Sequence, residues 1–162
     1  MTQTQRPNGR VDFDLETGHW QEQHRHLKHV LQGPTDWEEF TGISMARTIL
    51  EGPGLLDEIS NERAKRSFQG ITLRLFEPQT QQWSIYPATS AQGALAVPMI
   101  GGFMSGRGVS YSRAPIDGMH HFTRFLWHEI TPSPYSWEQA YSADSGAIWE
   151  TSCIQGHARL PE

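Results

Sequence analysis

Cysteine is almost absent: Cys153 stands alone, which excludes an internal disulfide framework and any site built from several thiolates. Charge is also scarce at 19 % of residues, and its basic side is the smaller one, 13 Lys and Arg against 18 Asp and Glu, for a net −5. A general nucleic-acid binder is thereby excluded, because phosphate neutralisation needs a clustered basic surplus. Long hydrophobic runs are missing as well. The longest, from Gly93 to Met104, is interrupted by Pro98 and glycines and is too short to span a bilayer. The opening MTQTQRPNGRVD carries none of the apolar stretch of a signal peptide. These absences predict a soluble, cytoplasmic protein with neither nucleic acid nor membrane as a partner.

What remains is polar and aromatic. Six Trp, seven Phe, four Tyr and eight His occur in 162 residues, a length suited to one domain with a real core. Residues 1–11 read as a flexible tail and 12–162 as a single domain. Runs rich in aromatic and β-branched residues recur, closed by Gly, Pro, Asn or Asp, which is the punctuation of an all-β barrel or sandwich. The expected strands are His19–Leu31, Asp36–Ser44, Met45–Glu51, Gly70–Glu77, Gln82–Ala88, Ala94–Ile100, Gly108–Arg113, His120–Ile130, Tyr135–Ser142 and Ala147–Ile154. Glu77-Pro78-Gln79-Thr80-Gln81 and Asp144-Ser145-Gly146 read as hairpin turns. Leu55–Arg66 has its apolar residues at one end and reads as a loop or a single short helix.

Two strands alternate cleanly. Ile71, Leu73 and Leu75 oppose Thr72, Arg74 and Phe76, while Thr123, Phe125 and Trp127 oppose Arg124, Leu126 and His128. An arginine flanked by large apolar groups either reaches solvent from an outer face or anchors a polar spot inside a barrel. Arg124 suits the first reading; for Arg74 both stay open.

Gly18-His19-Trp20, His24-Arg25-His26-Leu27, Asp36-Trp37-Glu38-Glu39-Phe40-Thr41-Gly42, Thr72-Leu73-Arg74-Leu75-Phe76-Glu77-Pro78, Trp83-Ser84-Ile85-Tyr86, Arg124-Phe125-Leu126-Trp127 and Trp137-Glu138-Gln139-Ala140-Tyr141-Ser142 follow in order. This series resembles a bacterial family of calycin-like (lipocalin-like) barrels of unknown function. The resemblance implies one antiparallel barrel of about 8–10 strands with at most one short helix. It also implies that Trp20 closes the barrel floor from inside. Glu22 stands where the family tends to be apolar, Pro87 replaces a common aromatic, and the Asn-Trp pair usual near the end is missing from Ser152–His157.

Chemistry concentrates on the first strand. Alternate residues share a face, so Trp20, Glu22, His24, His26 and Lys28 point one way. Behind the floor tryptophan, Glu22, His24 and His26 would climb the lumen wall. Three readings compete there: a polar strand with no chemistry, Glu22 orienting a proton-shuttling His24 with His26 beside it, and a metal held by His24 and His26. The reading carried forward is metal-free and cofactor-free. Trp20, Trp83, Trp127, Trp137 and Trp149 are expected to wall a ligand cavity, with Arg74, Tyr86 and Gln139 as orienting donors. The expected guest is a small, hydrophobic or aromatic, ring-bearing metabolite. The expected activity is that of an acid–base cyclase or isomerase, with a non-catalytic carrier and a His-ligated metalloprotein as alternatives, in a possible homodimer.

Overall fold

A computed structural model describes residues 9–33, 36–63, 66–116 and 118–161. Ten antiparallel strands run as a meander: β1 (Gly18–Leu27), β2 (Trp37–Ile49), β3 (Gly54–Arg63), β4 (Arg66–Glu77), β5 (Gln82–Thr89), β6 (Met99–Met104), β7 (Arg107–Ile116), β8 (Met119–His128), β9 (Tyr135–Ser142) and β10 (Glu150–Arg159). Each pairs with its neighbours in sequence, and β1 pairs with β10 to close the barrel. Closure leaves no sheet edge unpaired. The all-β barrel expected from the sequence is therefore the fold. Among the described residues there is no α-helix, only two 3-10 turns, Gly9–Val11 and Asp14–Glu16, and no helix able to cross a membrane.

Four expected elements need correction. Asp36–Ser44 and Met45–Glu51 are one strand, β2, whose Gly42, Ser44 and Ala46 are buried while Ile43 and Met45 face out without a break in register. Of the helix or loop expected over Leu55–Arg66, residues up to Arg63 are in β3 and Arg66 opens β4: Leu55, Asp57 and Asn61 are buried, with Ile59 half-buried between them at a period of two. Period-two burial is the strand signature, hidden here because the buried side chains include an acid and an amide. Of Ala94–Ile100, Leu95 makes an isolated bridge to Ala88 and only Met99 and Ile100 are in a strand, which runs on to Met104. Both hairpins form: Phe76 pairs with Trp83 across the first, and in the second Gly146 takes φ +93° while Asp144 accepts from Ser142 at 2.7 Å. In the β6–β7 hairpin a Cβ on Gly101 would sit 2.0 Å from the Val109 carbonyl, so only glycine fits there.

The expected tail overlaps residues 1–8, which lie outside the described residues. From residue 9 the chain enters one end of the barrel. Trp83 Nε1 donates to the Gly9 carbonyl at 2.8 Å. Phe13, 1 % exposed, meets the rings of Trp83, Phe103 and Trp127 edge-on, each at 5.1 Å. Arg159, at the end of β10, caps the same end: its guanidinium lies 4.2 Å above the Trp20 ring and donates to the carbonyls of Thr17 and Leu15 at 2.6 and 3.1 Å. One end of the barrel is thus plugged by aromatic packing, and the cavity lies above the plug.

Candidate functional site

Above that plug is a cavity of about 220 Å3. Its floor is polar. Glu16 reaches up from the second 3-10 turn, accepts from Trp127 Nε1 at 2.6 Å and pairs with Arg74 at 2.7 Å. The same Arg74 nitrogen, Nη2, lies 3.6 Å from Asp57. All three charged residues are buried, at 3 %, 6 % and 7 % exposure. Arg74 is therefore inside the barrel, which settles the alternative its strand left open. Arg124 is the outward one, over the Trp149 ring at 4.5 Å.

One wall is β1. Glu22 and His24 are 1 % and 2 % exposed and line the cavity with His26. His24 Nε2 meets Glu22 Oε2 at 2.8 Å, and the imidazole is stacked on Phe40 at 4.7 Å. A proton on Nε2 donated to the carboxylate leaves the lone pair on Nδ1, a buried atom with no protein partner. His157, from β10, approaches the other carboxylate oxygen of Glu22 at 3.5 Å and stacks on Tyr135 at 4.2 Å. Gly42 of β2 makes room for this: a Cβ there would lie 3.0 Å from His24 Nε2.

Burial decides the protonation states. Burial drives His157 down to about 4, against the pull of Glu22, so it is neutral at pH 7. Burial also pushes Glu22 upward, but the His24 hydrogen bond, attraction to His157 and a Ser44 hydrogen bond outweigh it and leave Glu22 below the usual range. With His157 neutral at pH 7, the His24 and Ser44 bonds do most of that work. Asp57 is raised to about 7, first by burial and then by Glu16 and Glu22, despite Arg74. Burial raises Glu16 too, partly offset by Arg74 and Trp127.

Of the residues expected at the site, the structure brings Glu22, His24, His26, Arg74, Trp127, Trp137 and Gln139 to one cavity. The others lie elsewhere. Trp20 is buried beneath the floor, donating to the Glu16 carbonyl at 2.8 Å, and Trp83 packs under it with Phe13 and Phe76. Tyr86 alternates with the inward Trp83 and Ile85 of β5 and faces away from the lumen. Trp149 packs on the outside with Arg124 and Tyr111. Sequence reasoning missed Glu16, Phe40, Asp57, Asn61 and Tyr135, all of which line the cavity. Tyr135 opens an expected strand and Glu16 precedes Gly18-His19-Trp20, but no local pattern says that they meet. Among the described residues no group of three or more His, Cys, Asp or Glu is arranged to hold a metal.

A larger hollow of about 730 Å3 lies against the outer wall near Ile43, Met45, Ile71 and Leu95. Glu16, Glu22, His24, Asp57, Arg74 and His157, all buried, line the smaller cavity and not this hollow.

No family model and no curated protein matches this chain. Among solved structures it is similar to an S-type phycobiliprotein lyase, CPES, from Guillardia theta, with a TM-score of 0.63 and 11 % identity over 99 % of each chain. At that identity the likeness shows the fold alone, the closed antiparallel barrel.

Proposed function

We propose that the lumen binds a small, largely apolar, ring-bearing metabolite and that Glu22 and His24 move a proton on it, as in a cofactor-independent cyclase or isomerase. The observation that carries this reading is the buried 2.8 Å bond between Glu22 and His24 on a cavity wall. The carboxylate fixes the tautomer and supports the imidazolium that forms when Nδ1 takes a proton. Ile85, Phe125, Trp127 and Trp137 supply apolar and aromatic lining, which suits rings and holds them in one orientation. That a barrel of this shape serves a phycobiliprotein lyase supports reading the lumen as a working site, although fold likeness does not transfer a substrate. Membership of the bacterial barrel family that the motif series resembles is part of the same proposal.

Native mass spectrometry of the purified protein, with identification of any retained small molecule, is the first experiment. Turnover of that molecule, abolished by Glu22→Gln and by His24→Ala with binding retained, is the expected result. The second reading, a carrier without turnover, is favoured by the apolar share of the wall. Intact affinity and no product from the wild-type chain would establish it and remove the enzyme.

A further inference from the structure

Three carboxylates, Glu16, Glu22 and Asp57, line this cavity with a single guanidinium, Arg74. His157 is neutral at pH 7. If all three acids ionised, they would carry three negative charges against one positive. Even a proton on His24 would leave one negative charge in excess in a space shielded from water. Such an excess is removed by keeping a proton on the least supported acid. Glu22 has His24 at 2.8 Å. Glu16 has Trp127 at 2.6 Å and the short Arg74 contact at 2.7 Å. Asp57 has only the longer 3.6 Å contact, and its Oδ1 is buried without a partner.

Beside it, Arg74 Nη1 and Nε are also buried and unpartnered. We propose that Asp57 is kept as the neutral acid and, together with the free face of Arg74, donates to a carbonyl oxygen of the guest, so that the lumen selects an uncharged ring-bearing carbonyl compound. This rests on the lumen being the binding site, as argued above, and adds the functional group the guest must carry. Two donors side by side at one oxygen also stabilise negative charge that develops there. An anionic guest is disfavoured, because it would add negative charge beside three carboxylates that share one guanidinium. The upward displacement of Asp57 agrees with this assignment; the charged or titratable groups acting on it are Arg74 from β4, Glu16 from the 3-10 turn and Glu22 from β1, and its own charge would act on Tyr135 of β9.

The test uses the full chain and three probes of one shape: 2-acetylnaphthalene, 2-ethylnaphthalene and 2-naphthoate, with binding read by quenching of tryptophan fluorescence. At about pH 5.5 the ketone should bind roughly fivefold more tightly than the hydrocarbon, the margin of one good hydrogen bond. That preference should shrink by about pH 8.5 as Asp57 loses its proton. Asp57→Asn keeps a neutral donor in the same shape, so it should keep the preference and lose its pH dependence; it also controls for pH effects that arise elsewhere in the cavity. A pH-independent preference in the wild type, tightest binding of the naphthoate, or an Asp57→Asn variant that keeps the pH dependence would each overturn the proposal. Equal binding of ketone and hydrocarbon would sink Asp57 as donor while leaving the lumen as the site. No binding of any probe would remove both readings.

Discussion

Asp57 and His157 titrate in opposite senses, and this sets a prediction about stability. His157 is lowered from 6.5 to about 4 in the fold, so between those values the unfolded chain holds the extra proton and stability rises with pH. Asp57 is raised from 3.8 to about 7, so over nearly the same window the folded chain holds the extra proton and stability falls as pH rises. The two effects largely cancel. Relative to wild type, Asp57→Asn should gain roughly 2 kcal/mol of stability between about pH 5 and pH 7, and His157→Gln should lose a comparable amount. Urea unfolding of both variants at the two pH values measures it; parallel wild-type and variant profiles would contradict the assignment. Gly42 offers a second test at this scale. Gly42→Ala places a methyl 3.0 Å from His24 Nε2 and 3.1 Å from the Ser60 carbonyl. It should cost roughly 1–3 kcal/mol and break the Glu22–His24 bond, visible as a change in the imidazole 15N shifts.

Among the elements, the segment from Gly9 to Thr17 does more than its length suggests, because it is the floor. Phe13 and Glu16 hold the aromatic plug and the charged group above it in register. Phe13→Ala should destabilise by about 3–5 kcal/mol, the usual cost of removing a buried ring, measured by thermal or urea melting. Glu16→Gln keeps the shape but removes the charge paired with Arg74. Asp57 then becomes the main partner of Arg74, and the pH at which carbonyl preference fades should move downward, read with the same naphthyl probes. β3 shows why the elements were only partly legible. Its inner face carries Leu55, Asp57 and Asn61, and a pattern search that equates buried with apolar finds no strand there. β1 was legible because the resemblance implies that Trp20 faces inward and the period of two carries that face to Glu22, His24 and His26. Trp83 was recognisable as a strand residue, whereas Trp149, expected within a strand, precedes β10; neither depth along the barrel axis nor the side of the wall is written in a local pattern.

At the scale of the whole molecule, closure dominates. β1 and β10 pair from Trp20–Arg159 to His26–Cys153, joining the two ends of the fold across almost its full length. Such non-local pairing is slow to form, so refolding followed by tryptophan fluorescence should take about milliseconds to seconds. Ile154→Pro, at a position paired with both Arg25 and Glu138, removes a ladder donor in the closing strand. It should abolish cooperative unfolding, checked by calorimetry. The closed wall is also what makes the cavity polar chemistry possible, since buried carboxylates are perturbed only where water is kept away.

The amino-acid sequence alone determined an all-β chain and the alternation of β1 that puts Glu22, His24 and His26 on one face, because a period of two is a local property of extended backbone; that this face looks inward was implied by the resemblance and decided by the barrel. Tertiary structure alone decided that Glu16, Asp57 and His157, from three separate elements, surround that set, with Glu16 and Asp57 sharing Arg74 and His157 beside Glu22. Their protonation depends on burial and on neighbours far away in the chain, and both exist only once the barrel has closed.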